Sequence, residues 1–234
     1  MKLFLASNIG GIKKENGKKI PVKFFEDNNF LKNMKDSIKN YNKFVIIASD
    51  PDNYELNDNY LKLDTEILAL SGLRFKENMV LDNRNKDDIG NVLKNSSLIF
   101  LSGGNTFQQN MFFNAINLKE YIKETDACII GISAGSINSA EIVFSSPENE
   151  EDLTRPIILK GLNLTTINIE PHFDLDNLNK IQMDSIIKES NNRIIYGLPD
   201  KSYIFNNKIY GKCYRVYKGN IELISNDDEI VDIY

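Results

Sequence analysis

A serine between small residues stands where an apolar run of the sequence gives way to a helical pattern. Residues 131–135 read Gly-Ile-Ser-Ala-Gly and directly follow the apolar run 127–130, while residues 137–143 are compatible with a helix. A nucleophile elbow needs this succession of strand, turn and helix, because the sharp turn lifts the serine hydroxyl out of the sheet edge. The start of the helix would offer backbone amides to a developing oxyanion. Ser133 is therefore a candidate nucleophile, and an ordinary turn of small residues is the alternative.

A glycine-rich loop follows another apolar run, at residues 98–101. Residues 102–108 read Ser-Gly-Gly-Asn-Thr-Phe-Gln. Paired glycines leave backbone amides unobstructed, so the loop could cradle a phosphate or complete an oxyanion hole. It has neither the Gly-Lys-Ser/Thr ending of a Walker loop nor the Gly-x-Gly-x-x-Gly spacing of a dinucleotide site. Asn105 could also cap the following helix, which is compatible with either function.

The only histidine of the chain comes in the segment Glu-Pro-His-Phe-Asp at residues 170–174. If an imidazole transfers the proton of the serine, it must be that of His172. Pro171 ends strand pairing directly before it and stiffens the approach of the backbone. One histidine and two cysteines far apart, Cys128 and Cys213, make a zinc site of the usual kind improbable. No cofactor is expected.

Composition and charge exclude several classes of protein. The formal net charge of −5 and the pI of about 5.1 would repel a phosphate backbone, so nucleic acid is not an expected partner. No apolar stretch approaches the roughly 18–20 residues that cross a bilayer, and the apolar start is too short for a signal peptide. We therefore expect a cytoplasmic protein without a membrane partner. The length of 234 residues suits a single domain over residues 1–234.

Short apolar runs alternate with amphipathic stretches through the first half of the chain. The runs are continuous rather than alternating, which is typical of parallel strands covered on both faces. Predicted strands lie at residues 3–6, 44–48, 79–81, 98–101 and 127–132. Predicted helices lie at residues 30–38, 60–70, around 92–93 and 107–116. This alternation predicts an α/β fold with a mainly parallel central sheet.

The pattern changes after the candidate nucleophile. We predict strands at residues 157–159, 162–169 and 193–196 and a helix at 175–188. Two β-hairpins are predicted at the C-terminal end, with turns at Asn206-Asn207 and Gly219-Asn220.

Three blocks together resemble the peptidase E or S51 group of serine peptidases, which includes aspartyl dipeptidase. They are residues 103–108 (Gly-Gly-Asn-Thr-Phe-Gln), 131–135 (Gly-Ile-Ser-Ala-Gly) and 171–173 (Pro-His-Phe), in this order. The resemblance covers nearly the whole chain and implies a three-layer sandwich like that of class I glutamine amidotransferases, with serine in place of cysteine. It also implies roles for residues of the site: nucleophile Ser133, base His172, oxyanion-hole amides Gly104 and Ala134, and substrate contacts Asn105 and Thr106.

The resemblance also implies a third member of the triad, an acid on a turn after a later strand. The matching segment, residues 195–202, contains Asp200, where the family commonly has Glu. Asp174, close to His172 in the sequence, is the competing residue.

The aspartyl dipeptidases carry an arginine in the helix after the catalytic histidine, and it grips the acidic side chain of the substrate. Residues 175–185 contain no arginine here. Lys180 cannot form the same bidentate fork, so specificity for N-terminal aspartate is not expected. Arg155 and Arg193 are the other cations that the fold could bring to the site. The acidic segment 145–152 is either a solvated loop or a group that attracts the free amino group of a peptide.

The leading hypothesis is a serine peptidase that acts on short peptides, with a homodimer left open. An esterase of the α/β-hydrolase type shares the elbow, but there the acid precedes the histidine in the chain. The third hypothesis is a non-catalytic module that binds small molecules on the same fold.

Overall fold

The structure, a computed structural model, describes residues 1–233. Its strands are β1 (Lys2–Ala6), β2 (Gly10–Glu15), β3 (Lys18–Phe24), β4 (Lys43–Ile47), β5 (Glu77–Leu81), β6 (Ser96–Leu101), β7 (Cys128–Ile132), β8 (Ile142–Phe144), β9 (Ile158–Lys160), β10 (Asn168–Pro171), β11 (Ile195–Leu198), β12 (Tyr203–Phe205), β13 (Lys208–Tyr210), β14 (Cys213–Tyr217), β15 (Asn220–Ser225) and β16 (Ile230–Asp232). Its α-helices are α1 (Phe30–Ser37), α2 (Tyr54–Leu70), α3 (Ile89–Leu93), α4 (Thr106–Ala115), α5 (Leu118–Lys123), α6 (Ala134–Asn138) and α7 (Lys180–Glu189), and short 3-10 helices span Asp27–Asn29, Lys86–Asp88 and Asp152–Thr154.

The central sheet has eight strands in the order β16-β13-β12-β1-β7-β6-β4-β5. Strands β1, β7, β6, β4 and β5 are parallel, and β12, β13 and β16 extend the sheet in antiparallel pairing. Alternate side chains of the parallel strands enter two different cores. In β4, for example, Phe44 packs with residues of α1 and α2, whereas Val45 packs with residues of α3 to α5. Because both faces are covered, these strands are apolar along most of their length, and their polar residues lie at the amino ends.

A second sheet of four strands, β10-β11-β14-β15, lies beside the candidate site. Strands β10 and β11 are parallel, with Pro171 opposite Leu198 at their carboxyl ends. Both strands are fully buried. The turns that follow Pro171 and Leu198 therefore leave the sheet at the same edge, and these turns carry two of the predicted site residues. Two smaller sheets pair β2 with β3 and β8 with β9.

The predicted α/β fold with a mainly parallel central sheet is confirmed. The two C-terminal hairpins also form, as β12–β13 and β14–β15. The turn residues Asn206 and Asn207 have φ values of 51° and 56°, as a two-residue hairpin turn of this hand requires. In the second hairpin the turn residues are Lys218 and Gly219, one position earlier than predicted. No helix among residues 1–233 combines the length and apolarity that crossing a bilayer requires.

The segments that flank α6 differ from the sequence prediction. The predicted helical stretch 137–143 is wrong beyond Asn138, because the chain turns there into β8, which pairs with β9. The predicted strand 162–169 is reduced to Asn168–Pro171. The amides of Leu162 and Leu164 instead donate to the carbonyls of Asn138 and Ser139 at the end of α6, at 2.9 Å each. These residues therefore satisfy the carboxyl end of a helix rather than a strand partner.

The predicted helix 175–188 begins later, at Lys180. The Asp174 carboxylate accepts bonds from the Asp176 amide and the Asn177 side chain. These bonds fold the segment before α7 into a turn. Asn179 then caps α7 by accepting from the Gln182 amide.

Candidate active site

Ser133 lies on a sharp turn between β7 and α6. Its φ and ψ are 50° and −111°, an unusual conformation for a residue with a side chain. The flanking glycines permit the turn: a Cβ on Gly135 would lie 2.1 Å from the Leu101 carbonyl oxygen, and one on Gly131 would lie 2.7 Å from the Ser136 nitrogen. The backbone strain of the predicted elbow is thus a feature of the structure.

His172 directly follows β10, and its Nε2 atom lies 3.1 Å from the Ser133 hydroxyl oxygen. The histidine backbone has a φ of 54°, in the left-handed region. The buried strand pair β10–β11 fixes the residue before it, Pro171, opposite Leu198. The imidazole is therefore held at the elbow from a second sheet, within the reach that a general base needs.

Asp200 stands two residues after the end of β11, and its Oδ1 lies 2.7 Å from Nδ1 of His172. The same carboxylate accepts bonds from the side chains of Asn8, at 3.0 Å, and Ser7, at 3.3 Å. The competing Asp174 bonds within its own loop. The structure thus brings Ser133, His172 and Asp200 into one line of hydrogen bonds.

The bond between His172 and Asp200 shifts the pKa of both groups in the directions that favour the ion pair. It raises the pKa of His172 above its usual 6.5, against the opposing effect of burial. It lowers the pKa of Asp200, again against burial. Each side chain is 52% exposed, so solvent screens part of this interaction.

The glycine loop lies next to the elbow. A Cβ on Gly103 would lie 3.7 Å from the Cβ of Ser133. Gly104 has a φ of +141°, and a Cβ there would lie 2.3 Å from the Ser49 hydroxyl, so only glycine fits. Asn105 caps α4 by accepting from the Gln108 amide at 2.8 Å. Ala134 is the first residue of α6, where backbone amides have no acceptor within the helix.

The model of peptidase family S51 matches residues 23–209. The chain belongs to this family. Two solved structures share the fold of this S51 peptidase. The crystal structure of a peptidase from an acI-B1 actinobacterium has a TM-score of 0.70 at 14% identity, with 99% of this chain and 96% of that chain covered. A protein assigned to peptidase E from Listeria monocytogenes EGD-e has a TM-score of 0.57 at 18% identity, with 92% and 96% covered. No curated protein sequence matches the chain.

Membership of the family confirms the resemblance and makes the chain a peptidase. It also favours the peptidase hypothesis over the esterase of the α/β-hydrolase type. The chain order agrees, since Asp200, which bonds to the ring of His172, follows that histidine in the sequence.

A cavity of about 390 Å³ opens in front of the S51 elbow. Ser133 and His172 line it together with the predicted substrate contacts Asn105 and Thr106 and with Gly104. Ala134 is buried behind the elbow, at 1% exposure. The acidic segment 145–152, whose position the sequence left open, forms part of the wall.

The cavity wall is acidic. Glu148, Asp152 and Asp174 line it, against one cationic side chain among the described lining residues, Arg155. The Arg155 guanidinium is already paired with the carboxylates of residues 151 and 152, at 3.0 and 3.6 Å. Lys180 and Arg193, the other cations considered from the sequence, are not among the residues that line the cavity. Arg193 instead bonds to the carboxylate of Glu189.

Glu170 was not singled out from the sequence. Its side chain is buried, at 3% exposure, and Oε1 accepts bonds from Ser146 at 2.7 Å and Gln182 at 3.0 Å. Its other oxygen, Oε2, is buried without a hydrogen-bond partner among the described residues. Burial raises the pKa of this carboxyl to about 7. A charged residue at the end of a predicted strand, two positions before the histidine, is the signal that could have identified it.

Ser7 and Asn8 were also missed. They follow β1 directly, at the carboxyl edge of the parallel sheet where the elbow and the glycine loop lie. Sites in parallel α/β sheets form at this edge, so two polar residues after a buried strand were a usable signal.

Proposed function

We propose that this chain is a serine peptidase that hydrolyses short peptides through an acyl-enzyme on Ser133. The observation that carries the proposal is the line of hydrogen bonds from the Ser133 hydroxyl through both ring nitrogens of His172 to Asp200. Such a line activates a serine that would otherwise be a weak nucleophile.

Each residue has a role in the proposed reaction. Neutral His172 takes the proton of the serine hydroxyl as its oxygen attacks the peptide carbonyl, and Asp200 stabilises the imidazolium that results. The amides of Gly104 and Ala134 donate to the oxyanion of the tetrahedral intermediate. The imidazolium then protonates the departing amine. Water enters, gives a proton to His172 and attacks the ester carbonyl, and the returned proton restores the serine hydroxyl.

The nucleophile is tested by Ser133→Ala, with Ser185→Ala as the matched control. Ser185 lies on α7 and does not line the cavity. Ser133→Ala should lower kcat for dipeptide hydrolysis by a factor on the order of 10⁴ to 10⁶. It should also abolish labelling by a fluorophosphonate probe, while Ser185→Ala retains both properties. Labelling of the wild type argues against the non-catalytic binding module, and near-normal hydrolysis by Ser133→Ala would refute the nucleophile.

The acid is tested by comparing two asparagine variants. Asp200→Asn removes the charge beside Nδ1 of His172 and should lower kcat by up to about 10⁴. Asp174→Asn affects a carboxylate that bonds only within its own loop and should leave kcat within about threefold. The reverse order would assign the role to Asp174.

The charge of the cavity bears on the substrate. An acidic side chain needs a desolvated cation, and Arg155 is already paired with Glu151 and Asp152. We infer that N-terminal aspartate is not preferred. The comparison is kcat/KM for Asp-Leu, Ala-Leu and Met-Leu at one pH and salt concentration. A preference for Asp-Leu of about tenfold or more would mean that Arg155 leaves its partners to bind substrate, and Arg155→Gln would then abolish it.

A further inference from the structure

Three consecutive residues at the carboxyl end of β1 touch every part of the proposed triad. The carbonyl oxygen of Ala6 accepts two bonds from the elbow, from the Ser133 amide and the Ser136 hydroxyl, at 2.9 Å each. Ser7 and Asn8 contact the other two members. The elbow, the histidine and the acid come from three different strand ends, so this short segment is a point that all three share.

Ser7 makes two of these contacts with one hydroxyl group. Its side chain is fully buried, and Oγ accepts a bond from the His172 amide at 2.7 Å. The same oxygen donates its proton to Oδ1 of Asp200 at 3.3 Å. A serine hydroxyl has one proton and two lone pairs, so both bonds can exist together. One buried hydroxyl thus joins the backbone of the histidine to the carboxylate that orients its ring.

The His172 amide needs such an acceptor. The residue follows the last residue of β10 and has a φ of 54°, a strained conformation for a residue with a side chain, which persists only when its surroundings hold it. The amide is partly shielded from water beside the buried Ser7, so leaving it without a partner would add a further cost. The short bond to Ser7 supplies the partner and stabilises the backbone geometry that aims the imidazole at Ser133.

Asn8 holds the other oxygen of the acid. Its Nδ2 donates to Oδ2 of Asp200 at 3.0 Å, and its Oδ1 accepts from the Gly10 amide at 2.9 Å. Ser7 and Asn8 therefore each donate a hydrogen bond to a different oxygen of the Asp200 carboxylate. Asp200 is 52% exposed and stands on a turn, so without these bonds its side chain would be free to rotate away from His172.

We propose that Ser7 is a positioning residue of the peptidase, which holds His172 and Asp200 in register with each other, and that Asn8 supports it. This inference rests on the proposed function. Ser7 touches neither the substrate nor the reacting atoms, so its effect passes through the histidine and the acid. Its loss should therefore slow proton transfer while leaving peptide binding intact.

The test is a double-mutant cycle between Ser7→Ala and Asp200→Asn. Ser7→Ala should lower kcat on the order of 10- to 100-fold with KM changed less than about threefold, since only the transition state loses an interaction. In the Asp200→Asn background the same substitution should lower kcat by a factor at least about threefold smaller, because the carboxylate that it orients is gone while its bond to the His172 amide remains. Partial unfolding would lower kcat by the same factor in both backgrounds, so it cannot produce this coupling.

Asn8→Ala keeps the inference testable if Ser7→Ala does not fold, because Asn8 is only partly buried. Its effect should show the same coupling to Asp200→Asn. Equal effects in the two backgrounds would overturn the inference for either residue. Ser133→Ala in the same assay separates the two levels: retained hydrolysis by that variant would overturn the proposed function, whereas its loss together with additive Ser7 effects would overturn only the positioning role.

Discussion

Replacement of the buried Glu170 by glutamine should change how the stability of the protein depends on pH. Burial raises the pKa of this carboxyl to about 7, from the value of 4.5 that applies to the unfolded chain. Hydrogen bonds from Ser146 and Gln182 oppose the shift but do not cancel it. Glutamine has nearly the same shape and does not titrate. Glu170→Gln therefore removes the ionisation of this side chain and leaves the packing of β10 largely in place.

The sign of this pH dependence follows from the raised pKa of Glu170. Below pH 4.5 the carboxyl is protonated in both states, and its contribution to stability is fully present. Between pH 4.5 and 7 the unfolded chain ionises while the native protein does not, so native stability falls as the pH rises. A difference of one between the native and the unfolded pKa changes the free energy of unfolding by about 1.4 kcal/mol. A difference between about 7 and 4.5 therefore costs the wild type about 3 kcal/mol by pH 8.

The assay is urea unfolding of both proteins at about pH 4.5 and pH 8, with the free energy of unfolding taken by linear extrapolation. The difference between Glu170→Gln and the wild type should move by about 3 kcal/mol in favour of the variant across this range. Glu141→Gln is the matched control, because Glu141 is exposed, and its difference from the wild type should stay nearly constant. A difference for Glu170→Gln that is the same at both pH values would refute the reasoning.

Three further predictions concern the site and the sheet. Gly104→Ala should destabilise the protein by about 1–3 kcal/mol and abolish hydrolysis, because its φ of +141° and the adjacent hydroxyl exclude a Cβ; Gly103→Ala, whose nearest atom would be 3.5 Å away, should be tolerated in melting and activity measurements. Asp82→Ala should lower the free energy of urea unfolding by about 2 kcal/mol, since this carboxylate is fully buried and accepts hydrogen bonds from Arg84. Asp58→Ala, which removes the exposed carboxylate at the other end of the same arginine, should lower it clearly less; equal losses would contradict this. The acid limb of kcat/KM against pH should lie above pH 6.5, because the pKa of His172 is raised and only the neutral ring accepts the proton; a limb at or below that value would contradict the raised pKa.

The parallel strands could be predicted because their environment is written into their own residues. All five residues of β4 are buried, and the four after Lys43 form a continuous apolar run as a direct result. The β2–β3 hairpin, by contrast, was missed, because most of its residues are exposed and carry no apolar pattern. The turn Asn16-Gly17, with φ values of 50° and 75°, was the one local signal for it.

The candidate site shows the same division. Ser133 and Gly104 belong to local motifs, so their neighbours in the sequence identify them. The choice between Asp174 and Asp200 depends on the pairing of β10 with β11, which no local pattern specifies. Ser7 accepts a hydrogen bond from the amide of His172, which is 165 residues away in the sequence. Its role therefore follows only from the folded structure.

The place of β1 has a consequence for synthesis of the chain. This first strand lies between β7 and β12, with Phe4 opposite both Ile130 and Phe205. A ribosome makes roughly 5–20 residues per second, so the strand waits at least about ten seconds for its last partner. Until then one of its edges lacks a neighbour, and the nascent chain exposes an aggregation-prone strand to chaperones. Asp200 is made 192 residues after Asn8, so the acid of the proposed triad reaches its partners beside β1 only after that length of chain has been added.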